Sequence, residues 1–547
     1  MAIGTLRVAS ALFVVVAGSS GALERPAAAA VRPNAGTTIT VNTTVDAATD
    51  GNCSLREAVQ AANTDTAVDA CPAGNGADTI DLPAGHYTLV QGPLEVTSDI
   101  AIIGDAGTLI DGDAIHCCLT TRALHVNTGA TLTLGNVSVQ NSAPAIRNDG
   151  TLVMNGGNLD DNMAPWHNQD GSNGIANFGT ATLDNVLIRY TANAITNLGT
   201  FNATGTVFDH DPTVNDFATI NNAGPMSLNR SRFLRTITCG CSSRVIVTGG
   251  HPLTITNSEF AGNSGTFVIQ NLLGPVTIVD SAFDDNAGVP IWNQASLTVT
   301  GTRFSGNRAA HAHPGAILND GQLDLSGSTI DHNVGDTSGG ILNWATMTLT
   351  NDTIADNVAQ FDSVSGANLI LPSGAFTNAG TAMIRNTTIA GNTMLGFHDW
   401  RWHAGGIVTM AAPISIGPIF SGYTAMSNSI LSDNTAPAPV QSQDCYGLIH
   451  SLGYNLVENS TDCFVGATTT GNVIGSTAHL RALAPNGGPT MTMLPPWDSP
   501  VVDTGNLATT NDADATTCFT TDQRGVTRPR DGNADGISRC DIGAVER

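Results

Sequence analysis

The sequence contains no lysine, and all 21 of its basic residues are arginine. This absence excludes any mechanism that needs a lysine base or a lysine Schiff base. Charged residues make up only 12% of the chain and aromatic residues 5%, yet 41% of the 547 residues are hydrophobic, which argues against disorder. The net charge of −25, without a basic cluster, argues against nucleic acid and anionic membranes as partners and favours cations and neutral glycans.

Long apolar runs are missing after the first 30 residues, which are interpreted as a signal peptide and linker. Arg7 precedes the apolar residues 8–17, a run too short to span a bilayer, and small residues with candidate cleavage points after Ala22 and Ala30 follow it. We therefore expect a secreted or cell-surface protein that has no transmembrane segment once the signal is removed.

The ten cysteines fall in pairs that are close in sequence, which is typical of disulfides in an oxidising compartment. Two pairs, Cys117 with Cys118 and Cys239 with Cys241, are so close that pairing across coils is an alternative. The other three flank the centre of the chain and are candidates for stapling its ends: Cys53 with Cys71, Cys445 with Cys463, and Cys518 with Cys540. The sequence leaves the connectivity open.

One pattern recurs along the centre of the chain, most clearly in AILNDGQLDLSGSTIDHN, residues 316–333. A short apolar segment ends in asparagine, an alternating segment follows, and an apolar residue then precedes a second asparagine by three positions. The first asparagine recurs at intervals of about 25 residues, with Thr248 and Thr409 in the same place in two copies: Asn148, Asn177, Asn197, Asn222, Asn271, Asn293, Asn319, Asn343 and Asn378. The second asparagine is present in six copies: Asn263, Asn286, Asn307, Asn333, Asn357 and Asn392.

Period-2 alternation within so short a repeat predicts an all-β parallel β-helix with three strands per coil. Stacked coils place equivalent residues on each other, so aligned asparagines can hydrogen-bond along the stack. We expect eleven or twelve coils between about Leu124 and Ile416, after less regular coils from about Ile39. A β-propeller is the competing fold, but its blades repeat at about 40–45 residues with Gly-His and Trp-Asp signals, and these signals do not recur at such an interval here.

The stretch CSLREAVQAAN, residues 53–63, is the clearest helical signal in the sequence. Ser54 followed by Glu57 matches a capping box. Four residues form one apolar stripe at helical spacing: Leu55, Ala58, Val59 and Ala62. We expect this helix, tethered by Cys53, to cover the open first coil.

Two parts of the chain resemble known domain families. CSLREAVQAAN with ADTIDLPAGHYTL resembles the CSLREA N-terminal domain of secreted bacterial proteins. LGYNLVENSTDC, LAPNGGPTMTMLPPWDSPVVDTG and TDQRGVTRPRDGNADGISRCDIGAVE resemble the choice-of-anchor type Q domain, which often follows right-handed β-helices. The resemblance implies an extracellular setting and no known reaction.

The expected fold is a right-handed, pectate-lyase-like β-helix with a short capping helix and an irregular, disulfide-stapled C-terminal region. The predicted division is a signal peptide and linker at 1–30, a cap and first coils at 38–120, central repeats at 121–436, and a choice-of-anchor-like region at 437–547. Because no anchoring pattern follows Glu546, we expect the protein to be released, or held by a partner or by its C-terminal region.

Enzymes of this fold need paired carboxylates, or calcium-bound aspartates beside a basic residue, in one groove. Two pairs are candidates, Asp160 with Asp161 and Asp284 with Asp285, but both are interpreted as solvated turns. The Gly-His-Gly and Arg-Ile-Lys motifs of pectin-cleaving glycosidases are absent. No catalytic residue is assigned. Two carboxylates beside an arginine on adjacent coils would favour an enzyme.

The loop FHDWRWH, residues 397–403, is the candidate ligand-binding loop. Its residues Trp400 and Trp402 are suited to stack on sugar rings, and His398 and His403 lie beside them. With Asp399 the histidines are a weaker candidate for a metal site, and in the alternative interpretation the rings pack back on the coil.

The segment DGNADGISRCD begins like a calcium-binding loop, with Asp531, Asn533 and Asp535 at alternate positions. The closing glutamate of such loops is missing, and Asp541 is the candidate replacement. Calcium is the only cofactor that the sequence suggests. The alternative is a turn closed by the Cys540 disulfide.

These patterns favour a secreted or cell-surface β-helix without enzymatic activity, which presents loops for adhesion or for binding extracellular polysaccharide or host glycan. The alternative is a polysaccharide lyase or glycoside hydrolase that acts in a groove along the β-helix.

Overall fold

The computed structural model describes residues 36–112, 122–163, 172–213, 218–238, 244–360, 372–395, 403–412, 420–437 and 443–547. These residues form a right-handed parallel β-helix, as the repeat predicts. Each coil contributes one strand to each of three long faces, called sheets 1, 2 and 3 in the order in which a coil passes through them. Among the described residues, no helix is long and apolar enough to cross a membrane.

Sheet 1 contains the strands that end at the first asparagine. Their bounds are: Leu94–Val96, Leu124–Val126, Ile146–Asn148, Ile175–Asn177, Ile195–Asn197, Ala218–Asn222, Arg244–Gly249, Ser264–Leu273, Ala287–Asn293, Ile317–Asn319, Ile341–Asn343, Phe376–Asn378 and Ile407–Thr409. From Leu124 onward these strands number twelve, in agreement with the predicted eleven or twelve coils.

Sheet 2 contains the alternating strands, whose inward residues are buried and outward residues polar. Their bounds are: Thr38–Thr40, Asp78–Leu82, Ile100–Gly104, Thr131–Gly135, Thr151–Asn155, Thr180–Asp184, Thr200–Thr204, Met226–Asn229, Leu253–Thr256, Pro275–Val279, Ser296–Thr300, Gln322–Ser326, Thr346–Thr350, Thr381–Arg385, Tyr423–Ser427, Cys445–Gly453 and Cys463–Ala467. The strand Cys445–Gly453 also pairs with sheet 1 and joins the two sheets.

Sheet 3 consists of short strands with one buried residue at the centre of most of them. Their bounds are: His86–Thr88, Leu109–Asp111, Ser138–Gln140, Asn158–Asp160, Leu187–Arg189, Val207–Asp209, Arg232–Leu234, Glu259–Ala261, Ala282–Asp284, Arg303–Ser305, Thr329–Asp331, Thr353–Ala355, Thr388–Ala390, Ile430–Ser432, Leu456–Val457 and Val473–Ile474. Five of the central residues are phenylalanines whose rings stack with centroids 4.4–4.9 Å apart: Phe208, Phe233, Phe260, Phe283 and Phe304.

Short strands add smaller sheets at the corners of the coils. Two parallel groups are Pro212–Thr213 with Ile237–Thr238, and Val334–Gly335 with Val358–Gln360 and Thr393–Leu395. One pair, Ala411–Ala412 with Phe420–Ser421, is antiparallel.

The predicted cap is confirmed as the helix Leu55–Thr64. Ser54 and Glu57 form both halves of the capping box, and the apolar stripe is buried. Arg56 binds Asp46 at 2.7 Å and the carbonyl oxygens of Gly92 and Pro93, so its guanidinium ties the helix to the first coils. Its role is therefore structural.

The three flanking disulfides are present as predicted. The Cys53–Cys71 bond tethers the cap, Cys445–Cys463 joins the last two strands of sheet 2, and Cys518–Cys540 lies in the C-terminal segment. The other four cysteines lie outside the described residues. The last coils use residues 445–474, which the predicted division at 437 placed in the C-terminal region.

Residues 478–547, called the C-terminal segment, fold back along sheet 3 instead of extending the solenoid. Thr490 donates to the Gly327 carbonyl oxygen, and Ala544 donates to Thr388. Gln523 inserts its amide against sheet 3 and bonds Thr329 and Thr353. The outward threonines of this sheet are fully buried because the segment covers them.

Candidate functional site

The predicted ligand-binding loop lies mostly outside the described residues. Trp400, Trp402 and His398 fall in the undescribed range 396–402. His403 is described and is only 3% exposed, next to the strand Ile407–Thr409. The sugar-stacking role of this loop therefore stays a prediction.

The predicted calcium ligands do not come together in one site. Asp531 and Asn533 accept hydrogen bonds from backbone N–H groups of their own loop. Asp541 is instead buried, and its two carboxylate oxygens accept the backbone N–H groups of Asp503 and Arg547, each at 2.7 Å. The described residues contain no group of three or more His, Cys, Asp or Glu side chains placed to bind a metal. Asp541 thus does not complete the loop, because the buried network at the chain end holds it.

Within each of the two carboxylate pairs, the two side chains have different surroundings. Asp160 binds Arg189 on the next strand of sheet 3 at 2.6 Å, whereas Asp161 occupies a left-handed turn at φ 51°. Asp284 and Asp285 repeat this arrangement, with Arg303 as the ionic partner at 3.6 Å. The turn interpretation therefore fits the second member of each pair, and the first joins an ion pair between coils.

Arg303 lies between carboxylates on the two neighbouring strands of sheet 3. Its guanidinium contacts both oxygens of Asp331 at 3.1 Å, and His332 contacts Asp331 at 2.9 Å. Burial raises the pKa of Asp284, and Arg303 opposes this rise. This set has the residue types that favour an enzyme. The Asp331 side chain is fully buried, however, and Arg303 also donates to Ser305, so these groups largely satisfy each other.

A second charged set crosses the outside of sheet 1 and is called the His125 row. It consists of Glu95, His125, Arg147, Asp149 and Phe178. The first three are the central residues of the adjacent strands Leu94–Val96, Leu124–Val126 and Ile146–Asn148, and they align in register. Central residues of these strands point outward, since their neighbours on both sides are buried.

The contacts of the His125 row form one continuous chain. His125 contacts Glu95 at 2.7 Å through Nδ1 and Asp149 at 2.8 Å through Nε2. Arg147 donates twice to Asp149, at 2.6 and 3.0 Å, and its guanidinium lies 4.5 Å from the centre of the Phe178 ring. Although burial raises the pKa of Asp149, hydrogen bonds from Arg147 and His125 lower it overall. The row is therefore an ordered series of donors and acceptors that ends on an aromatic ring.

The two ends of the His125 row are open to solvent. The Glu95 side chain is 50% exposed and Phe178 is 38% exposed, while the side chains of His125, Arg147 and Asp149 are 16–25% exposed. The sequence contains a signal for this row that the repeat analysis missed. The motifs LEV, LHV and IRN have ionisable central residues, whereas later copies of the repeat have uncharged residues at this position.

A cavity of about 540 Å³ opens near the last coils. Its lining includes Asp433, Asp444 and Glu458. Asp444 accepts from the Asn434 amide at 2.8 Å and from the Asn459 backbone at 2.7 Å, and burial raises its pKa to about 6. Burial and the neighbouring Glu458 also raise the pKa of Asp433.

The fold and these outer features define a parallel β-helix with polar and aromatic exterior rows. No family model and no curated protein matches the chain. Solved structures with a similar fold include tailspike protein 3 of bacteriophage CBA120, with 12% identity and a TM-score of 0.25 over 72% of this chain. The chain spans 56% of that tailspike.

Two further structures share the fold at low identity. Alginate lyase AlyF-OU02 with G6 has 13% identity and a TM-score of 0.29, over 75% of this chain and 84% of the lyase. Pectate lyase Pel9A has 12% identity and a TM-score of 0.23, over 93% and 96% of the two chains. At these values the likeness concerns the fold alone.

Proposed function

We propose that this protein is an extracellular β-helix that binds polysaccharide on the outside of sheet 1, with the His125 row as the binding site. The observation that carries the proposal is the continuous contact chain from Glu95 to Phe178 across four adjacent strands. It offers carboxylate acceptors and guanidinium donors beside an exposed ring, along the direction in which the coils stack.

This chemistry suits sugars better than other ligands. Sugar hydroxyl groups both donate and accept hydrogen bonds, so they can donate to the exposed oxygens of Glu95 and accept from the guanidinium of Arg147. The apolar face of a sugar ring can pack on Phe178, as it packs on aromatic residues in general. The net charge of −25 disfavours anionic chains, so we propose an uncharged glycan as the ligand.

The extracellular setting is part of the proposal. Three disulfides are typical of an oxidising compartment. The N-terminal pattern of a signal peptide and the resemblance to CSLREA and choice-of-anchor type Q domains support the same setting.

The test is binding to a panel of soluble neutral and acidic polysaccharides by affinity electrophoresis and calorimetry. We expect binding to at least one neutral polysaccharide, and we expect Phe178→Ala to weaken it about tenfold, a loss of about 1.4 kcal/mol. Phe464→Ala is the matched control, because Phe464 is 71% exposed on the last strand of sheet 2. Equal binding by the Phe178→Ala variant and the wild type would rule out this site.

The terminal cavity favours glycoside hydrolysis as a second candidate function. Glycosidases use one carboxylic acid as proton donor and one carboxylate as base or nucleophile. Asp444, with its pKa raised to about 6, suits the donor, and Glu458 suits the carboxylate. Assaying the same polysaccharide panel for release of reducing sugar tests this second function. Turnover that Asp444→Asn abolishes would establish the enzyme, whereas no release from any polysaccharide leaves binding as the function.

A further inference from the structure

The corner between sheets 1 and 2 is built on a column of glycines. In successive coils the first asparagine is followed by one residue and then by Gly179, Gly199 or Gly224. A Cβ atom on Gly199 would lie 1.9 Å from the carbonyl oxygen of Gly179, and one on Gly224 would lie 1.9 Å from that of Gly199. The coils therefore stack backbone on backbone at the glycines.

The residue before each glycine is displayed at the outside of this corner. We define the corner stripe as Phe178, Leu198, Ala223, Leu272 and Leu273. Their coils are in register, since Asn177, Asn197, Asn222, Thr248 and Asn271 align in this order along sheet 1, and the Thr248 coil has Gly249 at the corner and contributes no side chain to the stripe. Four of the five are large apolar residues with high exposure, namely 38% for Phe178, 53% for Leu198, 38% for Leu272 and 66% for Leu273.

The corner stripe begins where the His125 row ends. Phe178 belongs to both, and the corner residue one coil earlier is Asp149 of the row. The residue after Asn293, two coils beyond Thr248, is Gln294, so the apolar character of the corner ends there. Between these limits the stripe contains no ionisable side chain. Four steps of about 4.8 Å make it about 19 Å long.

The shape of the corner stripe argues against a second protein as its occupant. Four partly exposed side chains offer on the order of 400 Å² or less, whereas a stable protein interface needs about 800 Å² per partner. A stripe one residue wide fits a thread-like ligand. An uncharged sugar chain in an extended conformation has such a shape, and its ring faces are apolar.

We infer that the corner stripe extends the glycan site, so that an uncharged, straight, β-linked polysaccharide lies parallel to the solenoid axis from Glu95 to Leu273. This inference rests on the proposed function and names its ligand class. Hydroxyl groups of the chain bond the His125 row, and ring faces further along the same chain pack on Leu198 and Leu273.

The test is calorimetric binding of cello-oligosaccharides of increasing length. We expect affinity to rise with length until the chain covers the row and the stripe. Leu198→Ala and Leu273→Ala should each weaken the longest oligosaccharide about five- to tenfold and leave the disaccharide unchanged. Leu395→Ala is the control, because Leu395 is 48% exposed on another corner. Ala223→Phe should strengthen long-chain binding.

Two negative results remain distinguishable. If Phe178→Ala abolishes polysaccharide binding while both leucine variants bind every length like the wild type, the inference is wrong and the proposed function stands. If no uncharged glycan binds the wild-type protein, both are wrong. The leucines are exposed, so their variants are expected to fold, which thermal unfolding checks.

Discussion

Buried asparagine side chains form two hydrogen-bonded ladders along the interior of the solenoid. In the first, wherever the next coil also has an asparagine, Nδ2 donates to its Oδ1 at 2.7–2.8 Å, as in Asn271 to Asn293 and Asn293 to Asn319, whereas Asn222 donates to the Thr248 hydroxyl at 3.1 Å. In the second, the amide of Asn286 also donates to the Phe260 carbonyl oxygen of the preceding coil. Apart from Asn148 Oδ1 and Asn271 Oδ1, the buried polar atoms of the ladder asparagines have hydrogen-bond partners, which removes most of the cost of burying them.

Asp211 occupies a position of the second ladder with a carboxyl group instead of an amide. One carboxyl oxygen of Asp211 accepts a hydrogen bond from the Thr191 backbone N–H at 2.9 Å. The other oxygen has no hydrogen-bond partner, and it takes the place of the amide that, in ladder asparagines, donates to a carbonyl oxygen. Complete burial, and less strongly the charges of Asp209 and Asp160, raise the pKa of Asp211 well above its ordinary value. The raised pKa therefore favours the neutral form of this carboxyl.

We predict that Asp211→Asn makes the protein more stable at pH 8 by about 1–3 kcal/mol, because the amide has its donor at every pH, whereas the wild-type carboxyl must gain a proton on folding to supply one. In the unfolded chain an aspartate titrates near pH 3.9. Between that pH and the higher pKa of folded Asp211, the folded state binds more protons than the unfolded state, so the free energy of unfolding falls as pH rises through this range. The variant should lose this part of the pH dependence and match the wild type below about pH 4.

Thermal unfolding between pH 4 and pH 9 checks this prediction. Asp81→Asn is the control, since Asp81 is an exposed carboxylate on the strand Asp78–Leu82 of sheet 2. A variant that is less stable than the wild type at pH 8 would show that Asp211 is ionised.

At the scale of single elements, the N-terminal helix illustrates how a solenoid is closed. Its apolar stripe lies on the first strands of sheets 1 and 2. Glu57 is buried and accepts from both Ser54 and the Thr49 backbone, so its carboxylate serves the cap. The helix therefore acts as a lid, and its polar residues are structural.

We predict that Leu55→Asp destabilises the protein by about 3 kcal/mol or more, because an unpaired carboxylate would be buried under the lid. Glycan affinity of the remaining folded protein should not change. Gln60→Asp, on the exposed side of the same helix, is the control and should change stability little. Chemical denaturation and calorimetry measure the two effects, and a stable Leu55→Asp variant that has lost only ligand binding would contradict the structural role.

At the scale of the whole molecule, the C-terminal segment is a clamp along the solenoid. The motif TDQRG, which carries part of the family resemblance, supplies its central contact: the Gln523 amide donates to the Ser328 carbonyl oxygen and to Thr329 and Thr490, and accepts from Thr353. Arg528 and Glu546 are fully buried within the segment itself. These motif residues hold the segment together and dock it, so we interpret them as structural.

We predict that Gln523→Ala loosens this clamp at a cost of about 2–3 kcal/mol, because buried hydroxyl and carbonyl groups lose their partners. Limited proteolysis with mass spectrometry should show faster cleavage within residues 478–547. Gln322→Ala, at an exposed position of sheet 2, is the control. A cleavage rate equal to that of the wild type would mean that other contacts hold the segment.

The repeat made much of the solenoid predictable. The asparagine ladders follow from the repeat and the cap follows from its capping box and apolar stripe, whereas the three described disulfides join cysteines that are close in sequence but whose pairing the sequence left open. The candidate site was harder to find. His125 binds one partner 30 residues before it and another 24 after it, and intervals this irregular hide such an alignment in the sequence.

The sequence by itself determined the coil, its buried ladders and its lid, because each coil contains its own strand and turn signals and stacking merely repeats them. Only the tertiary structure decided which outward side chains meet and where the C-terminal segment docks. Loops of unequal length set which exterior residues become neighbours, and the contact between Gln523 and Ser328 joins residues 195 positions apart. No local pattern encodes a contact of that range, because its partners are brought together only when the solenoid is complete.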